Sequence, residues 1–178
     1  MSANFAAAIQ LVLTAATTGT PQKETVLTIC DTPQYLIDHC GFAQLPLIIK
    51  AATVDKVHFD HGVTKGLLQR LESVLLSPKA LYKSDTVAQG AVVVTLEVKN
   101  GNPIVIAIHP NKLIGRLTCN VVASIYDKPQ NIEIKWQASG LLLWAPVAPA
   151  PAISPAQPIA LNGAAPQAGQ AAHPAGGA

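Results

Sequence analysis

Apolar residues Phe5, Ile9, Val12 and Leu13 recur at helical spacing, which predicts an amphipathic helix over residues 3–17, stopped by a Thr-Thr-Gly-Thr-Pro run. Residues 26–30 form a short β-prone segment. Asp31 or Thr32 is then placed to cap a short helix with Pro33 in its first turn, running to about His39 and stopped by Gly41. Residues 47–49 read as extended. The clearest helix is expected to begin near Asp60 or Thr64, with Leu67, Leu68, Leu71, Val74 and Leu75 as its buried stripe and Ser77-Pro78 as its end. On that helix His61 and Lys65 fall on the rim of the stripe. Two β-branched runs, 91–98 and 103–108, flank Asn100-Gly101 and predict a hairpin. Residues 121–126, 132–136 and 141–144 are further strand candidates. Helices first and a strand meander after them predict an α+β fold, with N-terminal helices packed on a four- to five-stranded antiparallel sheet.

Composition changes this picture at the C-terminal end. The chain has 178 residues, of which 49% are hydrophobic and 12% charged, so it is neither a charge-driven disordered chain nor a histone-like basic protein. No charged residue occurs after position 144, and half of the 14 prolines fall there. Three segments follow: an N-terminal helix and linker over 1–24, an α+β domain over 25–144, and a disordered Pro/Ala-rich tail over 145–178. The tail matches Pro-x-x-Pro twice, at Pro146 and Pro155, but without flanking basic residues.

Charge is weak overall, +2 from 12 basic and 10 acidic residues. It is locally uneven: 55–83 and 99–128 are net positive and the remainder is net acidic, so a local phosphate contact is expected rather than a long basic stripe. Cys30, Cys40 and Cys119 are irregularly spaced, which fits reduced thiols in the cytoplasm. Residues 5–16 are apolar but too short to span a bilayer and lack a basic flank, so no membrane association is expected.

Three clusters carry candidate chemistry. Lys56-Val-His58-Phe-Asp60-His61-Gly-Val-Thr-Lys65 packs two histidines, two lysines and an acid beside the Leu-rich helix. His109-Pro-Asn111-Lys112 leaves the second hairpin strand, where an imidazole, an amide and a cation suit a phosphate or acidic group. On the strand 121–126, alternation places Ser124 and Tyr126 on one face and Val121, Ala123 and Ile125 on the other. The histidines and cysteines include no Cys-x-x-Cys, and His58-x-x-His61 lacks the glutamate of a zincin helix, so neither a metal site nor a cofactor is expected. No Gly-rich phosphate loop or dinucleotide fingerprint is present.

The order of motifs is informative. Asp31-Thr-Pro-x-x-Leu36, Gly41, Leu45-Pro-Leu-Ile-Ile, Lys56-x-His58 and His61-Gly62 precede the Leu-rich helix. Ser77-Pro-x-Ala-Leu-Tyr-x-Ser84, the valine strand, Gly101-x-Pro-Ile-Val-Ile-Ala-Ile and Ala123-Ser-Ile-Tyr126 follow. Over roughly 25–145 this resembles the nuclease-like C-terminal domain of MuF-type and polyvalent phage proteins, of the class that groups barnase, EndoU, colicin ribonucleases and RelE. The resemblance implies metal-independent RNA cleavage by a toxin or effector, with His58 or His61, Lys65, Ser84, Ser124 and Tyr126 as matching positions. It also makes RNA and a cognate antitoxin or immunity protein candidate partners. Lys65, Lys112 or Arg116 would neutralise phosphoryl charge, and Ser84, His109, Asn111, Lys112 and Arg116 are candidate substrate contacts. The alternative is an inactive binding or inhibitor module on the same scaffold. The low aromatic content, 4%, favours it, because RNA sites usually offer stacking rings.

Overall fold

An alanine-rich run with one apolar stripe makes the first helix, α1 (Ala3–Thr17). Phe5, Ile9, Val12 and Leu13 are all buried, as their spacing predicts. The helix stops where Thr17 and Thr18 turn their hydroxyls back onto its last carbonyls and Gly19 adopts a left-handed φ of 79°. The computed structural model describes residues 3–146. The Pro/Ala-rich tail expected over 145–178 lies, beyond Pro146, outside the described residues.

The remaining elements are β1 (Val26–Asp31), α2 (Gln34–Cys40), β2 (Pro46–Lys50), α3 (Ala51–Phe59), α4 (Lys65–Gln69), α5 (Leu71–Leu76), β3 (Ala80–Lys83), β4 (Ala91–Lys99), β5 (Asn102–Ile114), β6 (Leu117–Asp127), α6 (Ile132–Ala138) and β7 (Leu142–Trp144). The fold is α+β, but the sheet has seven strands in the order β1-β2-β6-β5-β4-β3-β7 and is mixed, because β2 runs parallel to β6. This corrects the expectation of four or five antiparallel strands. The added strands are short, and β2 meets β6 across some seventy residues, so no local periodicity announces the pairing.

Asn100 and Gly101 take φ of 52° and 80° between Lys99 and Asn102, the two left-handed positions that a tight hairpin needs. A second tight turn at Gly115-Arg116 joins Ile114 to Leu117. β5 therefore does not end at Ile108. It crosses a bulge at Pro110-Asn111, where Pro110 has no N–H to lose, and continues to Ile114. A further bulge at Ala123 shifts the parity of β6: Ala107 pairs with Ser124 but Ile108 with Val122. Val121 thus shares a face with Ser124 and Tyr126, and Val122 joins Ile125 in the main core. Strict alternation misassigned Val121 for that reason.

Two helical expectations also change. Residues 132–136 form α6 rather than a strand. In Ile-Glu-Ile-Lys-Trp, positions 132 and 136 share a face at either period; Ile134 decides, and it is 71% exposed. The expected helix from Asp60 or Thr64 is two short helices. α3 precedes it, residues 60–64 form a loop, and the Leu-rich stretch breaks at Arg70 into α4 and α5. Thr64 caps α4 by accepting the Leu67 N–H at 3.3 Å. Leu67, Leu68, Leu71, Val74 and Leu75 are buried as expected, but His61 is in the loop, so its position on a helix rim does not apply.

Helices α1 and α3–α5 cover one sheet face, burying Leu47, Ile49, Leu81, Val93, Ile106, Val122 and Ile125. On the other face α6 covers only part, with Trp136 on Tyr82 at a ring separation of 5.1 Å beside Val92, Val94 and Val105. Laid flat, seven strands about 4.8 Å apart would hold the sheet edges roughly 29 Å apart. Yet α2, which follows edge strand β1 and is about 10 Å long, packs on the opposite edge strand: Trp144 of β7 stacks on Tyr35 and His39, each at 5.7 Å. The sheet is therefore curled, and α2 closes the seam between its edges. Tyr35 donates its hydroxyl to Leu75 O at 2.9 Å, tying the seam to α5.

Candidate functional site

The loop between α3 and α4 is set by its own backbone. Val63 N–H bonds back to Val57 O, and His58 Nδ1 lies 2.7 Å from Val63 O. A carbonyl only accepts, so His58 carries its proton on Nδ1. Gly62 turns the chain at φ 62°, and a Cβ there would meet Lys99 Nζ at 3.0 Å.

β2 pairs with Asn120, Val121 and Val122 of β6, and among the described residues the outer edge of β6 beyond Val122 has no strand neighbour. His61 takes that place. Its Nδ1 donates to Ile125 O at 2.8 Å, and its ring meets Tyr126 edge-on at 6.1 Å and 83°. With Nδ1 so engaged, Nε2 is the ring nitrogen left to exchange a proton. Lys128 Nζ sits 5.1 Å from the centre of the Tyr126 ring, a cation–π contact. Burial, and secondarily the Asp85 carboxylate, push the Tyr126 phenol above its ordinary pKa, so it is a proton-bearing group at neutral pH.

A second layer holds this arrangement. Lys99 Nζ donates to His61 O, and to Asp127 Oδ1 at 3.4 Å, while Asn102 donates to Asp127 Oδ2 at 3.1 Å. The Asn102 hydrogen bond, aided by the Lys99 charge, holds the Asp127 carboxyl below the usual carboxylate range.

The other expected residues divide. Ser124 shares the Tyr126 face, two residues along β6, opposite Ala107. His109 is on the same face opposite Val121, and burial, with Lys112 nearby, lowers its pKa. Lys112 pairs with Cys119 and Arg116 occupies the hairpin turn, about 24 Å or more of strand from Tyr126, so neither joins the His61 site. Asn111 takes φ 51° in the bulge, and its N–H donates to Asn120 Oδ1 at 3.0 Å. Ser84 accepts the N–H groups of Thr86 and Val87 and so shapes the β3–β4 turn. Lys65 bonds Gln10 of α1 at 2.9 Å on the exposed surface. Among the described residues no three His, Cys, Asp or Glu side chains come together as a metal set.

Sequence reasoning missed Asn102, gave Asp127 no role and did not connect Lys99 and Lys128 to His61. The hairpin signal contained part of this information, because a two-residue Asn-Gly turn places Lys99 opposite Asn102. It also missed Asn120, fully buried, which donates to Thr32 Oγ1 at 2.7 Å and Ala43 O at 3.0 Å.

Comparison with curated proteins and with solved structures returned no match. The family model of the phage MuF-C-terminal domain matches residues 53–148, just over half of the chain, from within α3 through β7. The site on the β6 edge, with His61, Tyr126, Lys99 and Asp127, lies wholly within that span. The chain belongs to the phage MuF-C-terminal domain family.

Proposed function

We propose that this domain is a metal-independent ribonuclease-like toxin or effector that cleaves RNA by 2′-OH transesterification, with His61 rather than His58 as its base. One observation carries the reading: His61 Nδ1 is bonded to Ile125 O, which leaves Nε2 as the available nitrogen, among the described residues, of a ring that meets Tyr126 edge-on, with Lys128 against the same Tyr126 ring. His61 Nε2 takes the 2′-OH proton, and O2′ attacks the adjacent phosphorus. The P–O5′ bond breaks, leaving a 2′,3′-cyclic phosphate. The departing O5′ takes a proton from Tyr126, whose raised pKa keeps it loaded until then. Lys128 offsets charge on the phosphoryl oxygens, and Ser124, on the same face, is placed to contact the substrate backbone.

A specific observation supports the alternative of a non-catalytic binding or inhibitor module. The Tyr126 ring is already engaged by His61 at its edge and by Lys128, so it offers less surface for stacking a base. Incubating the full chain with an RNA oligonucleotide, with and without EDTA, separates the two. The expected result is EDTA-independent cleavage to 2′,3′-cyclic ends, no cleavage of the 2′-deoxy analogue, and a loss of about 10²-fold or more in His61→Ala. Absence of cleavage, or equal cleavage by His61→Ala, rejects the enzymatic reading.

A further inference from the structure

Beside α2 lies an open groove of about 430 Å³ on the surface, where His39, Lys83, Ala88, Gln89 and Leu143 are all exposed, separated in the strand order from the β6 edge that carries His61. Four elements line it: His39 and Cys40 at the end of α2, Lys83 at the end of β3, Ala88, Gln89 and Gly90 of the β3–β4 turn, and Leu143 of β7. Its volume is in the range of about 300–1,000 Å³ typical of small-molecule sites.

The lining has a distinct chemistry. Lys83 and His39 supply the ionisable nitrogens, and among the described residues no carboxylate lines the groove. Burial pushes the Cys40 thiol up to about 11, so it stays neutral and adds no opposing charge. Ala88 and Leu143 provide an apolar flank, and the stacked His39–Trp144 pair gives the seam a flat aromatic component. Gln89 brings both a donor and an acceptor, the pattern that reads the edge of a heterocycle.

The turn that presents Gln89 is held under strain. Gln89 is not glycine, asparagine or aspartate, yet it adopts φ 61°, a left-handed conformation that an ordinary side chain rarely takes. Its neighbour Gly90 bonds to Val87 O, and Ser84 N–H bonds to Gly90 O. A Cβ on Gly90 would lie 3.1 Å from Ser84 Cβ and 3.2 Å from Val87. The turn is thus packed tightly around Gly90, and the strained position is given to a side chain that lines the groove. The Lys83 backbone is placed beside the turn by its N–H, which donates to Leu141 O at 2.8 Å.

We infer that this groove is a binding site for a nucleoside monophosphate, with Lys83 and His39 taking the phosphate, Gln89 the base edge, and Ala88 and Leu143 the body of the ligand. An inorganic anion would leave the apolar flank unused, and an uncharged nucleoside would leave Lys83 and His39 unused. This site is independent of the ribonuclease reading.

The test is calorimetric titration of the full chain with the four nucleoside 5′-monophosphates, the matching nucleosides and inorganic phosphate. At least one monophosphate is expected to bind one-to-one, at least tenfold more tightly than its nucleoside or inorganic phosphate. Lys83→Gln should weaken that monophosphate tenfold or more and leave the nucleoside unchanged. Gln89→Gly should raise the melting temperature, since it relieves the backbone, and still weaken binding. His61→Ala should bind like the wild type. No binding by any monophosphate at millimolar concentration overturns the inference. So does inorganic phosphate binding as tightly as the nucleotide, or affinity that survives both Lys83→Gln and the groove-filling Ala88→Trp.

Discussion

Replacing Asn120 by alanine should destabilise the domain far more than its small volume suggests. Asn120 is fully buried and makes three hydrogen bonds: to Thr32 Oγ1, to Ala43 O, and from Asn111 N–H. Two of those partners keep other bonds after truncation, since the Thr32 hydroxyl still donates to Leu45 O and Ala43 O still accepts the Leu45 N–H. Each such loss costs about 0.5–1.5 kcal/mol. The Asn111 N–H would be left without its partner in the bulge, at about 1–3 kcal/mol. The sum is roughly 2–6 kcal/mol, or about 4 to 24 °C in Tm at about 2–4 °C per kcal/mol for a chain of this size. Urea unfolding followed by circular dichroism, with calorimetric Tm, measures it. Asn111→Gly is the companion variant: it keeps the backbone N–H and suits φ 51°, so it should unfold at or above the wild-type midpoint. A loss below about 0.5 kcal/mol in Asn120→Ala would show that the bulge and the loop around Ala43 stand without this side chain.

Other outcomes follow from the same geometry. Gly101→Ala should cost about 1–2 kcal/mol by denaturant titration, because φ is 80° there and a Cβ would also meet Gln130 Nε2 at 2.9 Å. The folded-state pKa of Asp127 is lowered, so its contribution is complete above the unfolded value of about 3.9 and lost as pH falls through the folded one. Stability measured from pH 2 to 6 should therefore fall less steeply below about pH 4 in Asp127→Asn. Asp55 behaves oppositely: burial raises its pKa against the lowering effects of Lys23 and His58, and its Oδ1 has no hydrogen-bond partner among the described residues. Its folded form disfavours the charge, so Asp55→Asn should raise Tm at pH 7, and an unchanged or lower Tm would contradict this. Arg70 and Glu97 form a two-bond pair at 2.8 and 2.7 Å on the exposed surface, and Arg70→Met should cost under about 1 kcal/mol in the same titration.

The candidate site joins residues of unequal visibility. His61 and Tyr126 stand out as chemical types, and the structure puts their rings in contact. Lys99 and Asp127 look like ordinary strand-end charges until the I′ hairpin and the β6 edge bring them beneath the His61 loop. Lys65, Lys112 and Arg116 are the cations expected to neutralise phosphoryl charge. Sequence proximity did not bring them to the site: Lys65 faces α1, and a bulge carries Lys112 and Arg116 out along an extended hairpin.

The sequence alone determined the features that depend on neighbouring residues. The α1 stripe, the left-handed Gly41 after α2, the Asn-Gly hairpin, the Thr64 cap and the buried leucines of α4 and α5 are all local, because each depends on spacing or on one residue's conformational preference. Tertiary structure decided the rest. The helical state of residues 132–136 depended on Tyr82 to receive Trp136. The parity of β6 depended on a bulge that only a paired strand can define. The parallel β2–β6 contact, the curl that sets Trp144 against α2, and the His61 hydrogen bond to Ile125 O join residues far apart in the chain. Such pairings are stabilised only when the core assembles, and no window of local sequence carries their energy.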